Sequence, residues 1–506
     1  MEFSLETWTL LITFTVLLLV YGVWPYNFFK KLNIPGPTPF PFIGTFHHLR
    51  KGFFNFDLEC MQKYGQIWGF YDGRQPVIGL VDTSMIKTIW VKECYSTFTN
   101  RRNFRLNGKL DTGLNVVEDE QWKRIRSVLS PNFTSGRLKE MLPIMKQHRD
   151  VLIKNLQKKA NANEPVQLKE FFGAYSLDVI GSTSFSVDID SLNHPNEPFV
   201  VHMKKALKFS FFNPLLIVAV IFPWIIPVLE KMDFTLFPHD TVNFFANAVK
   251  SIKEKKKKGD SNERVDFLQM MMDSQLSDKN LVSNGVDHTY KALTDDEIVA
   301  QSVLFIIAGY ETTSTALTYL AYNLALHPDE QQKLQQEIDD TFPDKASLTY
   351  DGLMQMEYLD MVINESMRLY PNGGRTERIS SKTVEINGVT IPKGTVIMVP
   401  LYALHRHPNH WPDPEEFRPE RFSKENRETM DPYAYMPFGT GPRNCIGMRF
   451  ALLNMKLALT SVLQNFSFEP CKETQIPLKI SPMGLMTPEP PVILRLVPRP
   501  NAKTVS

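Results

Sequence analysis

The sequence predicts a mainly α fold with a minor β part: one large α+β domain behind an N-terminal transmembrane helix. Three observations carry this. Residues Thr7 to Phe29 hold no charged side chain. Nearly everything between 120 and 380 has helical apolar periodicity or helix-cap signals. Strand signals are confined to a few short hairpins.

The apolar start comes first. Its 23 residues would make a helix of roughly 34 Å at 1.5 Å per residue, enough to cross a bilayer. Trp8 and Trp24 stand near its ends, where an interfacial belt would lie. Glu2 and Glu6 precede it, and Lys30, Lys31, Arg50 and Lys51 follow, which orients the bulk of the chain to the cytosol. A cleaved signal peptide would want a basic start and a small-residue cleavage site, and neither is present. We therefore read 1–29 as an anchor, 30–44 as a hinge and 45–506 as the domain. The hinge segment NIPGPTPFPFIG, 33–44, carries four prolines, which favour a stiff extended spacer.

Three β pairs are expected. One surrounds Asp72-Gly73, one has Asn387-Gly388 at its turn, and one joins NFSFEP to PVILRLVP near the C-terminus. The segment 209–229 is almost uncharged, but Pro223 and Pro227 break it. It reads as buried core or as a greasy surface that meets membrane, not as a second span. The run KEKKKKG, 253–259, reads as a solvated loop.

Composition excludes some functions. Net charge is +1, which argues against bulk electrostatic binding of nucleic acid. The four cysteines have no CxxC spacing, so neither a zinc ribbon nor a disulfide scaffold is indicated.

Chemistry concentrates in four places. A capping box, Thr294 to Glu297, opens a helix that runs to Pro328. At its middle stands Ala308-Gly309-Tyr310-Glu311-Thr312. Glycine inside a helix costs about 1 kcal/mol relative to alanine, so a neighbour, such as a flat ligand, needs the small size. Glu311 and Thr312 are either a working acid–alcohol pair or two satisfied core residues. Next, Glu365 and Arg368 share one face of an apolar helix, and Arg421 in FRPERF offers a third member. This trio reads as structural.

The third place is FGTGPRNCIG, 438–447. Glycines at 439, 441 and 447 let amides approach the Cys445 sulfur, and Arg443 adds positive charge. A helix begins just after, so a thiolate is favoured there. One cysteine cannot make a zinc site but can be the axial ligand of a haem iron. A thiol nucleophile is the alternative, and no paired histidine supports it. His405, His407 and His410 sit in a polar, proline-containing stretch that reads as loop. The fourth place is dispersed: Arg101 and Arg102, then Trp122 and Arg126, donors of the kind that two carboxylates would need.

Taken together, FxxGxRxCxG, AGxET, ExxR and PERF in this order resemble cytochrome P-450, the haem-thiolate monooxygenases, over the full chain. FIIAGYETTS, SPNFTSGRLKEM and QMEYLDMV are similar to the vertebrate 3A subfamily. The resemblance implies haem b with Cys445 as axial thiolate and O2 as co-substrate. It implies proton delivery by Thr312 and Glu311, room for oxygen at Gly309, and propionate contacts from Arg101, Trp122, Arg126, Arg378 and Arg443. Glu365, Arg368 and Arg421 become the structural triad. The substrate pocket would be lined by Phe104, Asn115, Phe211, Phe212, Phe305, Ala308, Asn372, Gly373 and Gly374, with Met483 to Leu485 as the last wall. Asn372-Gly373-Gly374 is smaller and more polar than the family pattern, which puts substrate preference and regioselectivity in doubt.

The implied activity is insertion of one oxygen atom into lipophilic steroids, drugs or other xenobiotics at the endoplasmic reticulum membrane. Electrons would come from NADPH through cytochrome P-450 reductase, with cytochrome b5 as a further partner, because the chain has no GxGxxG or flavin module of its own. Lys92, Lys123 and Lys424 mark where a basic docking face would lie. The alternatives are a narrow steroid hydroxylase, a haem-thiolate isomerase needing no electron donor, and a non-catalytic haem or steroid carrier. Glu311-Thr312 argues against the isomerase.

Overall fold

The computed structural model describes residues 4–206, 213–258, 266–274, 292–343, 348–482 and 485–500. The N-terminal helix α1, Leu5–Val23, leaves Leu10, Phe14 and Leu17 more than 60% exposed, as a lipid-facing helix does. Its last turn is docked. Tyr21 stacks on Phe222 at 5.8 Å between ring centres, and Arg74 covers the Tyr21 ring at 3.4 Å. Phe42 from the proline-rich hinge lies where a side chain on Gly22 would go.

A four-stranded sheet follows. β1, Ile67–Asp72, and β2, Gln75–Leu80, form a hairpin whose closing pair is Asp72 with Gln75, and Gly73 turns at φ 58°. The helices between are α2 (Asp119–Leu129), α3 (Ser135–Asn161), α4 (Leu168–Phe185), α5 (Pro214–Ile221), α6 (Ile226–Lys231), α7 (His239–Lys257), α8 (Asp295–Leu326), α9 (Pro328–Thr341) and α10 (Glu357–Leu369). The two-residue strand β3, Val166–Gln167, joins a small sheet with β9, Ile493–Pro498, and β8, Phe466–Pro470. β4 (Arg375–Ile379) and β7 (Val396–Pro400) complete the large sheet in the order β1-β2-β7-β4. Between them β5 (Val384–Ile386) and β6 (Val389–Ile391) pair around Asn387-Gly388, both at positive φ. The last helix, α11, spans Met448–Asn465. All three expected β pairs are present, and the domain is mainly helical.

α8 is the axis. Thr294 and Glu297 close the predicted capping box, and the 32-residue helix is buried along most of its length. α4 crosses it at close range. A Cβ on Gly309 would stand 1.9 Å from Ile180 Cδ1, and one on Gly173 would stand 3.0 Å from the Tyr310 hydroxyl. The glycine at 309 therefore has a packing reason in the facing helix.

Two expectations change in detail. The lysines of KEKKKKG up to Lys257 belong to α7, not to a loop. Lysine is a good helix former and favours a helix C-terminus, and Lys253 and Lys256 are paired with Asp295 and Asp266. The uncharged 209–229 stretch is mixed. α5 and the helical segment from Pro223 to Lys231 meet at 115°. Leu216, Ala219 and Leu229 are buried, whereas Leu215, Trp224 and Val228 are exposed.

Candidate active site

The Cys445 loop is shaped by its glycines. Gly439 and Gly441 lie at φ 71° and 72°, and a Cβ on Gly441 would stand 2.0 Å from the Trp90 carbonyl oxygen. The Cys445 amide donates to the Phe438 carbonyl at 2.8 Å, which folds the loop back on itself. Gly447 is the N-cap of α11, so Cys445 sits two residues before the cap, as its spacing predicts. Cys445 keeps accessible surface in a loop tied down on both sides, although its thiol lies deep among protein atoms. Burial of the thiol pushes its pKa up. The Gly447 N–H and the Arg126 and Arg101 guanidiniums oppose that shift without overcoming it. The expected lowering is thus not achieved by the polypeptide alone; a coordinated metal deprotonates a thiol outright.

Around the loop lies a ring of cations. Arg101 donates to the Arg443 carbonyl at 3.1 Å, and Arg126 donates to the Asn444 carbonyl at 2.9 Å and its side-chain oxygen at 2.8 Å. Arg443 donates to the Val117 carbonyl at 2.6 Å, with its guanidinium 4.4 Å from the centre of the buried Trp122 ring. Arg378 donates to the Glu377 carbonyl at 2.7 Å and meets Cys94. Desolvation and the other arginines depress both Arg378 and Arg443 to about 9, and Arg101 and Arg126 are also lowered. Among the described residues, Nε of Arg101, Nε of Arg378, and Nε and Nη1 of Arg443 are buried without an acceptor. Orphaned guanidinium donors in mutual repulsion fit a bound dianion. Arg102 is not part of this ring. It turns to Asp72 and Glu377, each at 2.7 Å.

α8 meets the end of the Cys445 loop through aromatic contacts. Within this buried helix Leu304, Phe305, Ala308 and Thr312 stay partly or fully open, at a spacing that makes one face. Phe305 meets Phe133 edge-on at 5.8 Å, and Phe133 approaches the Cβ position of Gly447, 3.9 Å away. This aromatic bridge joins the helix to the end of the Cys445 loop. Gln301, one turn before Phe305, holds the loop that carries Asn115: its amide nitrogen donates to the Thr112 carbonyl at 2.6 Å, and its oxygen accepts the Leu114 N–H at 2.8 Å.

The acid and the alcohol diverge. The Thr312 hydroxyl donates back to the Ala308 carbonyl at 2.8 Å. Glu311 is buried and pairs with Lys169 of α4 at 2.5 Å, with Thr315 at 3.4 Å. Lys169 escaped the sequence reading because it lies 142 positions away with no motif around it.

Asn372 is tied to α8: its side-chain nitrogen donates to the Thr312 carbonyl at 2.9 Å. Its own carbonyl accepts the Met486 N–H at 3.1 Å, which brings the segment with Leu485, itself 43% exposed, to the same place. Gly373 borders open space. Gly374 does not, because Phe54 occupies the site of its missing side chain, 1.9 Å from the Cβ position. Phe54 thus fills the space that the missing side chain of Gly374 leaves. Phe104 is half-buried beside Arg102 at 5.3 Å. Phe211, Phe212 and Met483 lie outside the described residues.

The predicted triad is assembled around Glu365. Arg368 and Glu365 are fully buried and joined by two hydrogen bonds of 2.7 and 2.9 Å. Arg421 approaches Glu365 at 3.3 Å, and Arg368 also donates to the His405, Pro414 and Glu416 carbonyls. His405 accepts the Met436 N–H at 3.1 Å, and burial among arginines holds it down to about 3, a structural neutral imidazole.

The family model for Cytochrome P450 matches residues 34–496. This chain belongs to the cytochrome P450 family. As a cytochrome P450 it is a haem-dependent monooxygenase with cysteine-thiolate ligation that uses O2. It is 57% identical over 497 residues to cytochrome P450 3A40 of Oryzias latipes, covering 98% of both chains. To cytochrome P450 3A9 of Rattus norvegicus it is 57% identical over 498 residues, and to cytochrome P450 3A12 of Canis lupus familiaris 58% over 498, again at 98% of each chain. The similarity to the 3A subfamily therefore extends over nearly the whole of this P450.

Proposed function

We propose that this P450 inserts one atom of O2 into lipophilic steroids, drugs and other xenobiotics, with haem b held beneath α8 by the Cys445 thiolate. One observation carries the reading: an exposed cysteine lies within a ring of arginines, and three of them, Arg101, Arg378 and Arg443, keep buried nitrogens without an acceptor. Arg101, Trp122, Arg126, Arg378 and Arg443 hold the two propionates. When bound, the haem supplies the redox chemistry of oxygen activation; the polypeptide supplies position, protons and exclusion of water. Thr312 stands on the open face of α8, and its hydroxyl can exchange the Ala308 carbonyl for a bound guest. Glu311, held by Lys169 on α4, would take part in relaying protons toward the site. The apolar open face of α8, with Phe305 and Ala308, receives the substrate beside Asn372 and Gly373.

Electrons come from NADPH through cytochrome P-450 reductase, with cytochrome b5 as an accessory donor. Residues 1–29 anchor the chain in the endoplasmic reticulum membrane, 30–44 form the hinge, and 45–506 face the cytosol. The exposed Trp224 and Val228 beside the docked end of α1 support a membrane-fed pocket.

The test is the carbon monoxide difference spectrum of the reduced protein beside a Cys445→His variant. A strongly red-shifted Soret band in the parent alone supports the assignment. A band at the ordinary histidine-haem position in freshly prepared parent overturns it. NADPH-dependent turnover with purified reductase then separates the monooxygenase from an isomerase or a carrier.

A further inference from the structure

We infer that Asn372 is a positioning residue that holds the reactive turn of α8 in place through the main chain. The inference rests on the reading of Thr312 above and adds the group that fixes it. All five carbonyls from Ala308 to Thr312 carry side-chain donors, with Ser314 serving those of Tyr310 and Glu311 at 2.8 and 3.1 Å. Thr312 donates to the Ala308 carbonyl at 2.8 Å, Ser176 of α4 to the Gly309 carbonyl at 2.9 Å, and Asn372 to the Thr312 carbonyl at 2.9 Å. Two of these bonds, those of Ser176 and Asn372, come from other parts of the chain. The Asn372 bond is the one that reaches the Thr312 peptide itself.

The clamp is mounted on rigid supports. The Asn372 carbonyl accepts the Met486 N–H at 3.1 Å, and the Met486 carbonyl accepts the Tyr319 hydroxyl at 3.1 Å, closing a loop back to α8 two turns later. Gly374 is locked by Phe54 on one side, and its carbonyl accepts the Leu401 N–H at 2.8 Å. Stability does not explain an asparagine here. Its Oδ1 is buried with no donor among the described residues, and an unmet buried acceptor costs more than an apolar side chain of the same size. What the asparagine supplies that an isoleucine cannot is the N–H on the Thr312 carbonyl. Gly373, which borders open space, leaves the guest side of the clamp clear.

The experiment uses the haem-loaded, full-length protein and three forms: parent, Asn372→Ile and Asn372→Asp. Hydrogen–deuterium exchange is followed in peptides covering 308–316 and, separately, 318–326. Asn372→Ile is expected to speed exchange about two- to tenfold in the first region only, the weight of one neutral hydrogen bond. Asn372→Asp is expected to match it at pH 7.5. After correction for intrinsic rates it returns toward parent as the carboxyl protonates and can donate again. The second readout is hydrogen peroxide formed per NADPH consumed with the reductase, which is expected to rise in the same order. Unchanged exchange in both variants, or equal acceleration along all of α8, overturns the clamp. Altered exchange with unchanged peroxide yield overturns its part in positioning Thr312. Failure of the underlying functional reading shows separately, as a parent without the red-shifted carbon monoxide band, while the exchange result still decides the clamp.

Discussion

Lys169 of α4 and Glu311 of α8 form an ion pair, half-buried on the lysine side and buried on the glutamate side, across the same helix crossing that holds the Gly309–Ile180 contact. The pair changes how the acid–alcohol motif is read. Glu311 does not hydrogen-bond its neighbour Thr312; it is anchored from the opposite side of the helix. Lys169→Met leaves a buried carboxylate with only Thr315, and is expected to cost about 1–3 kcal/mol. The double variant Lys169→Met, Glu311→Leu should recover much of that, because an apolar pair replaces an ion pair well. Urea unfolding of the four proteins of the cycle measures the coupling; strict additivity would mean that the two charges are independent.

Adjacent glycines should answer alanine in opposite ways. Gly373→Ala enters open space and is expected to fold as the parent does while changing the product ratio. Gly374→Ala drives a methyl into Phe54, 1.9 Å from the Cβ position. Overpacking of this kind costs about 1–3 kcal/mol. Thermal melting of both variants, and of Gly374→Ala combined with Phe54→Leu, checks the assignment: the combination should melt above Gly374→Ala alone.

Removal of Arg378 should weaken haem retention without harming the polypeptide. Its guanidinium is depressed to about 9 by desolvation and by Arg101 and Arg443. In the haem-free protein, Arg378→Met removes repulsion as well as a donor. Its denaturant midpoint is expected to equal or exceed that of the parent. Transfer of haem to apomyoglobin should be about tenfold faster, the loss of one charge-assisted hydrogen bond. A large drop in haem-free stability with unchanged transfer would assign Arg378 to the fold instead.

Asp178 gives a pH signature outside the site. Burial, with smaller contributions from Asp190 and Asp188, raises its pKa from 3.8 to about 6, against hydrogen bonds from the Ser191 N–H and hydroxyl. The sign follows from linkage. Above pH 6 the folded protein carries the cost of a disfavoured carboxylate. Between 6 and 3.8 the folded carboxyl is protonated before the unfolded one, and that cost is relieved. Asp178→Asn keeps an acceptor for Ser191 without the charge. It is expected to be more stable than the parent at pH 7.5 by about 1–2 kcal/mol, with the gap closing toward pH 5. Denaturant midpoints at the two pH values decide it, and a gap that widens on acidification would contradict the sign.

What the sequence made legible was local. The capping box of α8, the Asn387-Gly388 turn, the Cys445 loop and the Glu365–Arg368 pair each depend on residues a few positions apart. Their geometry follows from spacing. What it hid is made by segments that meet only in the fold. Ile180 explains Gly309, Phe54 fills the site opened by Gly374, and Lys169 turns Glu311 away from Thr312. The lysine run misled for a related reason. A string of like charges looks solvated until distant carboxylates, here Asp295 and Asp266, come to two of its members.

The stacking of Tyr21 on Phe222, beneath Arg74, has a practical consequence. Gly22 is covered by Phe42, so the last turn of α1 is part of the domain's own surface. Cutting the chain after residue 23 to obtain a soluble fragment would not sever a leash. It would unroof Phe42 and Phe222 next to an already exposed Trp224, leaving a sticky apolar shelf. A cut before Tyr21, which spares that last turn, should give the better-behaved fragment.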